Sequence, residues 1–124
     1  MRIFLLLGSI SGFLSVALGA FGSHVLKGRL NDYLLGVFHT GVTYQTTHAL
    51  ALVLVALLCK WFPDSSALTW AGWCFAVGTL LFSGSLYALS FTNIKALGAI
   101  TPFGGLLFLA GWALLAVHAW KSVS

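Results

Sequence analysis

Four long apolar stretches, separated by short polar segments, run the length of the chain. The first extends from Ile3 to about Gly22. From His24 to about Phe38 the pattern is mixed. Lys27, Arg29, Asn31 and Asp32 alternate with Val25, Leu26, Leu30, Tyr33, Leu34, Val37 and Phe38. The apolar members recur every three to five positions, which predicts a short amphipathic helix lying in the membrane interface. Asn31 is placed to cap a helical start. A second stretch, Thr40 to Cys59, ends at Lys60-Trp61-Phe62-Pro63, and Pro63-Asp64-Ser65-Ser66 reads as a tight turn. A third spans Ala67 to Leu89, and the link Ser90 to Ile100 carries Asn93 and Lys95. Thr101 and Pro102 suit the cap and first position of a fourth helix, which continues to about Trp120.

Each stretch has the roughly 20 apolar residues that a membrane span needs. The predicted spans are 3–22, 40–59, 67–89 and 102–120. The fold class is all-α, a polytopic membrane four-helix bundle forming one domain over 1–124, with a short interfacial amphipathic helix between spans 1 and 2. Arg2 and Ala17-Leu18-Gly19 imitate a signal peptide. The run is long for that purpose, and it reads as a retained span.

Composition sharpens this picture. Of 124 residues, 60% are hydrophobic and 6% charged, and six Lys/Arg face two Asp/Glu for a net charge of +4. Mean hydropathy is +1.02. Soluble domains are about 25% charged, so this chain lacks the means to cover a water-facing surface. A soluble enzyme, a disordered chain and a nucleic-acid binder are excluded. The basic residues are scattered and read as headgroup anchors. Cys59 and Cys74 form no ligand-spaced motif and read as packing residues.

Small residues mark the packing faces, since in lipid close backbone approach replaces the hydrophobic drive between helices. Gly8, Gly12, Ser15, Gly19 and Gly22 share one seam of the first span, with Ser11 beside it. Gly72, Ala76, Thr79 and Ser83 mark the third span, and Gly104 and Gly111 the fourth. The five-residue seam predicts that the first helix is central.

Four spans place Arg2, Lys60 and Lys121 on one face, termed proximal, and Lys27, Arg29 and Lys95 on the other, termed distal. Three against three leaves orientation nearly undecided, and the terminal amine tips the proximal face towards the cytoplasm. Polar residues are sorted unevenly by depth. His24, Thr40, Thr43, Tyr44, Gln45, Thr46, Thr47, His48, Ser83, Ser85, Tyr87 and Thr101 all fall in the distal half. The proximal half offers little beyond Ser9, Ser11 and Trp70, and His118 reads as an interfacial side chain at its end.

Buried polar groups in lipid need partners. Tyr44, Gln45 and His48 share a helix face, as do Ser83 and Tyr87. The expected network runs from His48 and Gln45 to Tyr87, Ser83 and His24, with Ser85 and Thr101 nearby. It serves either as a plug fixing helix register or as the site of a non-enzymatic module that binds a lipid or small amphiphile or docks a partner helix. Lys27, Arg29 and Lys95 are the expected headgroup contacts. The same residues offer two alternatives. One is a small transporter or proton conductor through the histidines. The other is a redox subunit holding quinone, or haem between two histidines. The spacing shows no metal motif, and only Asp32 and Asp64 are acids, so no catalytic residues and no cofactor are assigned. Membrane lipids are the expected partners, with a homo-oligomer or a membrane partner protein as further candidates and no nucleic acid.

These residues also carry a resemblance. Gly19-Ala20-Phe21-Gly22-Ser23-His24-Val25-Leu26-Lys27, Thr40 to Leu52, Leu81-Phe82-Ser83-Gly84-Ser85-Leu86-Tyr87 and Ile100-Thr101-Pro102-Phe103-Gly104-Gly105, with Gly111-Trp112, resemble four ordered motifs. They are those of the membrane-protein family called domain of unknown function 423. Ser23 stands where that family usually has Ala. The resemblance implies a four-span bacterial inner-membrane protein with cytoplasmic termini. It supplies no activity and carries over no catalytic residues.

Overall fold

A computed structural model describes residues 2–122. Four helices cross the molecule in alternating directions: α1 (Arg2–Phe21), α2 (Asp32–Trp61), α3 (Ser66–Thr92) and α4 (Thr101–Ser122). All four are long and apolar enough to span a membrane. Their backbone groups are satisfied within the helices, as a hydrocarbon environment requires. No disulfide joins Cys59 and Cys74, which are both free.

The distal connection differs from the sequence-based expectation. No separate interfacial helix forms between α1 and α2. Instead α1 widens into a π-helical turn at Gly22–Leu26, and the chain reverses through Lys27–Leu30, with Gly28 at φ +91°. Asn31 then caps a new helix by accepting from the Leu34 amide at 2.8 Å. No proline or other breaker follows, so that helix continues through the whole second span for 30 residues. At 1.5 Å per residue it is about 45 Å long, more than the roughly 30 Å that a hydrocarbon core requires. The amphipathic face is real, but it packs inward: Leu34 and Phe38 are buried, and the Phe38 ring covers Gly22.

The proximal turn follows expectation. Ser65 caps α3 by accepting from the Leu68 amide at 3.3 Å. Asn93 ends that helix in the left-handed conformation, φ 54°. The expected Thr101 cap does not form. A 3-10 turn at Lys95–Ala99 leads directly into α4, where the Phe103 amide donates to Ile100 O at 3.1 Å. The preceding turn thus serves the first amides of α4, and the Thr101 hydroxyl is left available for α3.

The order across the bundle is α1, α2, α3, α4, each packed chiefly on its sequence neighbour. The middle therefore belongs to α2 and α3, not to α1. On α1 only Phe4, Gly8 and Ser15 are buried, whereas α2 buries residues along its length. The glycine seam of α1 does face α2. A Cβ at Gly8 would lie 2.9 Å from Ala49 O. One seam makes one close contact, and it does not surround a helix with neighbours. The apolar core gathers Phe4, Leu52, Val55, Leu68, Phe75 and Phe108 from all four helices.

Candidate functional site

The distal polar residues do not form one chain of hydrogen bonds. They form separate ties between helices. Gln45 on α2 is buried and joins three helices: its Nε2 donates to Ser11 O on α1 at 3.0 Å, and its Oε1 accepts from Tyr87 Oη on α3 at 2.5 Å. Because the Ser11 carbonyl can only accept, the amide orientation is fixed. Ser83 on α3 donates to Gly41 O on α2 at 2.7 Å, where the lack of a side chain also admits the Tyr87 ring. Ser85 on α3 and Thr101 on α4 share a 2.6 Å bond.

His48 forms the α2–α4 tie. Its Nδ1 lies 2.8 Å from Tyr44 O, and its Nε2 accepts from the Trp112 indole N–H at 3.0 Å. A carbonyl accepts only and an indole N–H donates only, so the pair fixes a neutral ring with the proton on Nδ1. The ring stacks on Phe108 with centroids 3.6 Å apart. Tyr44 leans over Phe82 at 4.7 Å and remains 44% exposed, and its hydroxyl bonds to no described group.

One sequence-predicted member is placed elsewhere. His24 does not reach the network. It lies between the buried Gly22 and Leu26 on the opposite side of the π-helical turn, exposed to the surroundings. His118, expected as an interfacial side chain at the proximal end, stands there against the turn between α2 and α3. It is buried, with Nδ1 2.9 Å from Ser65 Oγ and its ring edge-on to Phe62. The contrast has a simple cause: depth along a helix can be read from sequence, but the direction around its axis depends on the neighbours. Lys27, Arg29 and Lys95 are exposed at the distal face.

Sequence reasoning missed three acceptors or donors: the Ser11 carbonyl, the Gly41 carbonyl and the Trp112 indole. The Gly111-Trp112 motif was the one available signal, since a Trp inside an apolar span needs an acceptor for its N–H. Among the described residues no group of three or more His, Cys, Asp or Glu is placed to hold a metal ion.

Beside these ties lies a crevice of about 400 Å³ between α1 and α3. Its walls include Ile10, Leu14, Leu18 and Leu80, and its inner side is formed by Ser11, Gln45, Ser83 and Tyr87. The exposure of Ile10, Leu14 and Leu80 shows that it opens sideways, towards the acyl chains of a bilayer. Among the described residues no charged one lines it. Gly84 stands on its rim, and a Cβ there would meet nothing within 4 Å.

Four spanning helices, cross-tied by buried side chains, define a small multi-pass membrane protein. The chain belongs to the family described as "Protein of unknown function (DUF423)", which it matches over residues 18–105. It is 49% identical over 121 residues to the UPF0382 membrane protein YwdK of Bacillus subtilis, covering 98% of each chain. It is 44% identical over 123 residues to the UPF0382 membrane protein SH2409 of Staphylococcus haemolyticus, covering 99% of each. It is 42% identical over 121 residues to SAB0533 of Staphylococcus aureus, covering 98% of each. The protein is accordingly a multi-pass bacterial membrane protein. No solved structure matches the chain.

Proposed function

We propose that the protein is a non-enzymatic membrane module that holds a lipid or small amphiphile in the crevice between α1 and α3. The supporting observation is the crevice itself: about 400 Å³, apolar-walled, open to the side and backed by the Gln45–Tyr87 pair. Its size is within the range of small-molecule sites, which combine apolar walls with a few placed polar groups. Lys27, Arg29 and Lys95 at the distal rim provide a cationic face for anionic headgroups around it.

A conducting path has weaker support. Both nitrogens of His48 are engaged, and a second proton on Nε2 would face the Trp112 N–H. The polar ties also end on backbone carbonyls and do not continue from one to the next.

Gly84→Leu tests the reading. The new side chain enters open space in a helix, so the bundle should keep its thermal stability while the crevice fills. Native mass spectrometry of protein released from bacterial membranes should show a retained amphiphile in the parent chain and its loss in Gly84→Leu. Identical ligand-free spectra for the two would contradict the proposal, as would a co-purifying peptide-sized mass, which would mean that a partner helix occupies the crevice.

A further inference from the structure

The inner side of the crevice offers specific chemistry as well as shape, and the assignment drawn from it rests on the reading of the crevice as an amphiphile site. The Ser11 hydroxyl is shielded from solvent and has no hydrogen-bond partner among the described residues. Hydroxyls in apolar helices normally fold back on a carbonyl of their own helix, as those of Ser15, Thr79 and Ser90 do in this protein. Ser11 does not, although it lines the crevice. Beside it, one amide hydrogen of Gln45 Nε2 is used on Ser11 O, and the other bonds to no group among the described residues. Two hydrogen-bond donors thus remain unspent just behind the inner side of a crevice whose other polar lining is Thr79, Ser83 and Tyr87.

An unspent donor in a hydrocarbon environment is costly, and two adjacent donors suit a single strong acceptor such as a carbonyl oxygen, with its two lone pairs. The acceptor must be uncharged, because the lining contains no cation to balance an anion. Depth then separates the sources of a carbonyl. Ser11 is at the middle of α1, about 15 Å from either end at 1.5 Å per residue. The ester carbonyls of glycerolipids sit at the edge of a core about 30 Å thick, and so about 15 Å from this level. A carbonyl carried on a neutral ring, which can descend to the bilayer middle with its hydrocarbon tail, meets all three conditions.

The geometry points to a quinone with an alkyl or prenyl tail as the occupant of the α1–α3 crevice, with one ring carbonyl accepting from Ser11 Oγ and Gln45 Nε2. The tail lies along Leu14 and Leu18. Binding alone is assigned, with no electron transfer.

The test uses full-length protein in nanodiscs, titrated with 2-decyl-1,4-benzoquinone and with decylbenzene, which has the same tail and no carbonyl. Affinities are measured calorimetrically against protein-free nanodiscs. The quinone should bind at least about ten-fold more tightly than decylbenzene, and Ser11→Ala should weaken the quinone about five- to ten-fold, the value of one hydrogen bond, while leaving decylbenzene unchanged. Equal affinities for the two probes overturn the carbonyl assignment, and so does an unchanged quinone affinity in Ser11→Ala. The crevice reading survives either result provided that Gly84→Leu abolishes binding of both probes. If Gly84→Leu leaves both unaffected, the crevice reading fails and the quinone assignment with it.

Discussion

Gly104→Leu should destabilise the bundle by about 3 kcal/mol, the cost of forcing apart two helices whose backbones touch. A Cβ at Gly104 would collide with the backbone nitrogen of Phe82 and would lie 2.7 Å from its Cβ. The obstacle is main chain, which cannot rotate away, so α4 would have to move off α3. The approach is reciprocal, because a Cβ at Gly78 on α3 would sit 3.2 Å from Gly104 O and 2.7 Å from the Phe108 ring. Overfilling a packed contact costs about 1–3 kcal/mol and sometimes more. Separation would also loosen the Ser85–Thr101 and His48–Trp112 ties, which puts the expected cost at the top of that range. Thermal unfolding in detergent, compared with Gly105→Leu as a control on the same turn, measures it. The nearest group to a Cβ at Gly105 is the Phe82 ring at 3.9 Å, so that control should change little.

Gln45→Leu should cost about 2 kcal/mol, through polar groups left unpaired in the bundle. The substitution is close in volume and keeps the site apolar, but it leaves the Tyr87 hydroxyl and the Ser11 carbonyl without their partner. A buried polar group left unpaired costs about 1–3 kcal/mol in water-soluble proteins. Hydrogen bonds between membrane helices average about 0.6 kcal/mol, because the separated helices also find partners. Two ties broken at once place the expected cost above twice the membrane average and at the lower end of twice the soluble-protein range. A double-mutant cycle with Tyr87→Phe checks the attribution. The two single changes should be clearly non-additive, since each removes the same 2.5 Å bond, whereas strict additivity would show that the bond contributes nothing.

These two substitutions also show which features the sequence made legible. The four spans were readable because lipid requires the backbone to satisfy itself, and long apolar helices are the simplest solution. Asn31 and Ser65 act as caps where the pattern placed a start and a turn. The boundary between an interfacial segment and the second span was not readable. Nothing between Asp32 and Thr40 interrupts a helix, so polar and apolar parts merge into one element. Small residues at Gly8 and Gly104 announced close approach, but not how many neighbours each helix has, and α1 proved to be a flank.

The site was legible by residue type and only partly by partnership. Gln45 and Tyr87 drew attention as polar groups in apolar spans, and they do meet. His24 shares their half of the bundle but faces outward. Backbone acceptors such as Ser11 O and Gly41 O leave no trace in composition, so the pairwise nature of the ties emerges only in three dimensions. The crevice likewise depends on how far α1 stands from α3, a distance that no pattern of residues specifies.

On the proposed reading, the crevice between α1 and α3 is an occupied site and not a gap filled by bulk lipid. An experimental density map of the protein in nanodiscs prepared from native membranes tests this most directly. The prediction is an ordered, elongated density between α1 and α3 that ends within hydrogen-bonding distance of Ser11 Oγ and Gln45 Nε2. A map in which Leu14 and Leu80 close over the crevice, or in which its density is indistinguishable from the surrounding lipid shell, would contradict it.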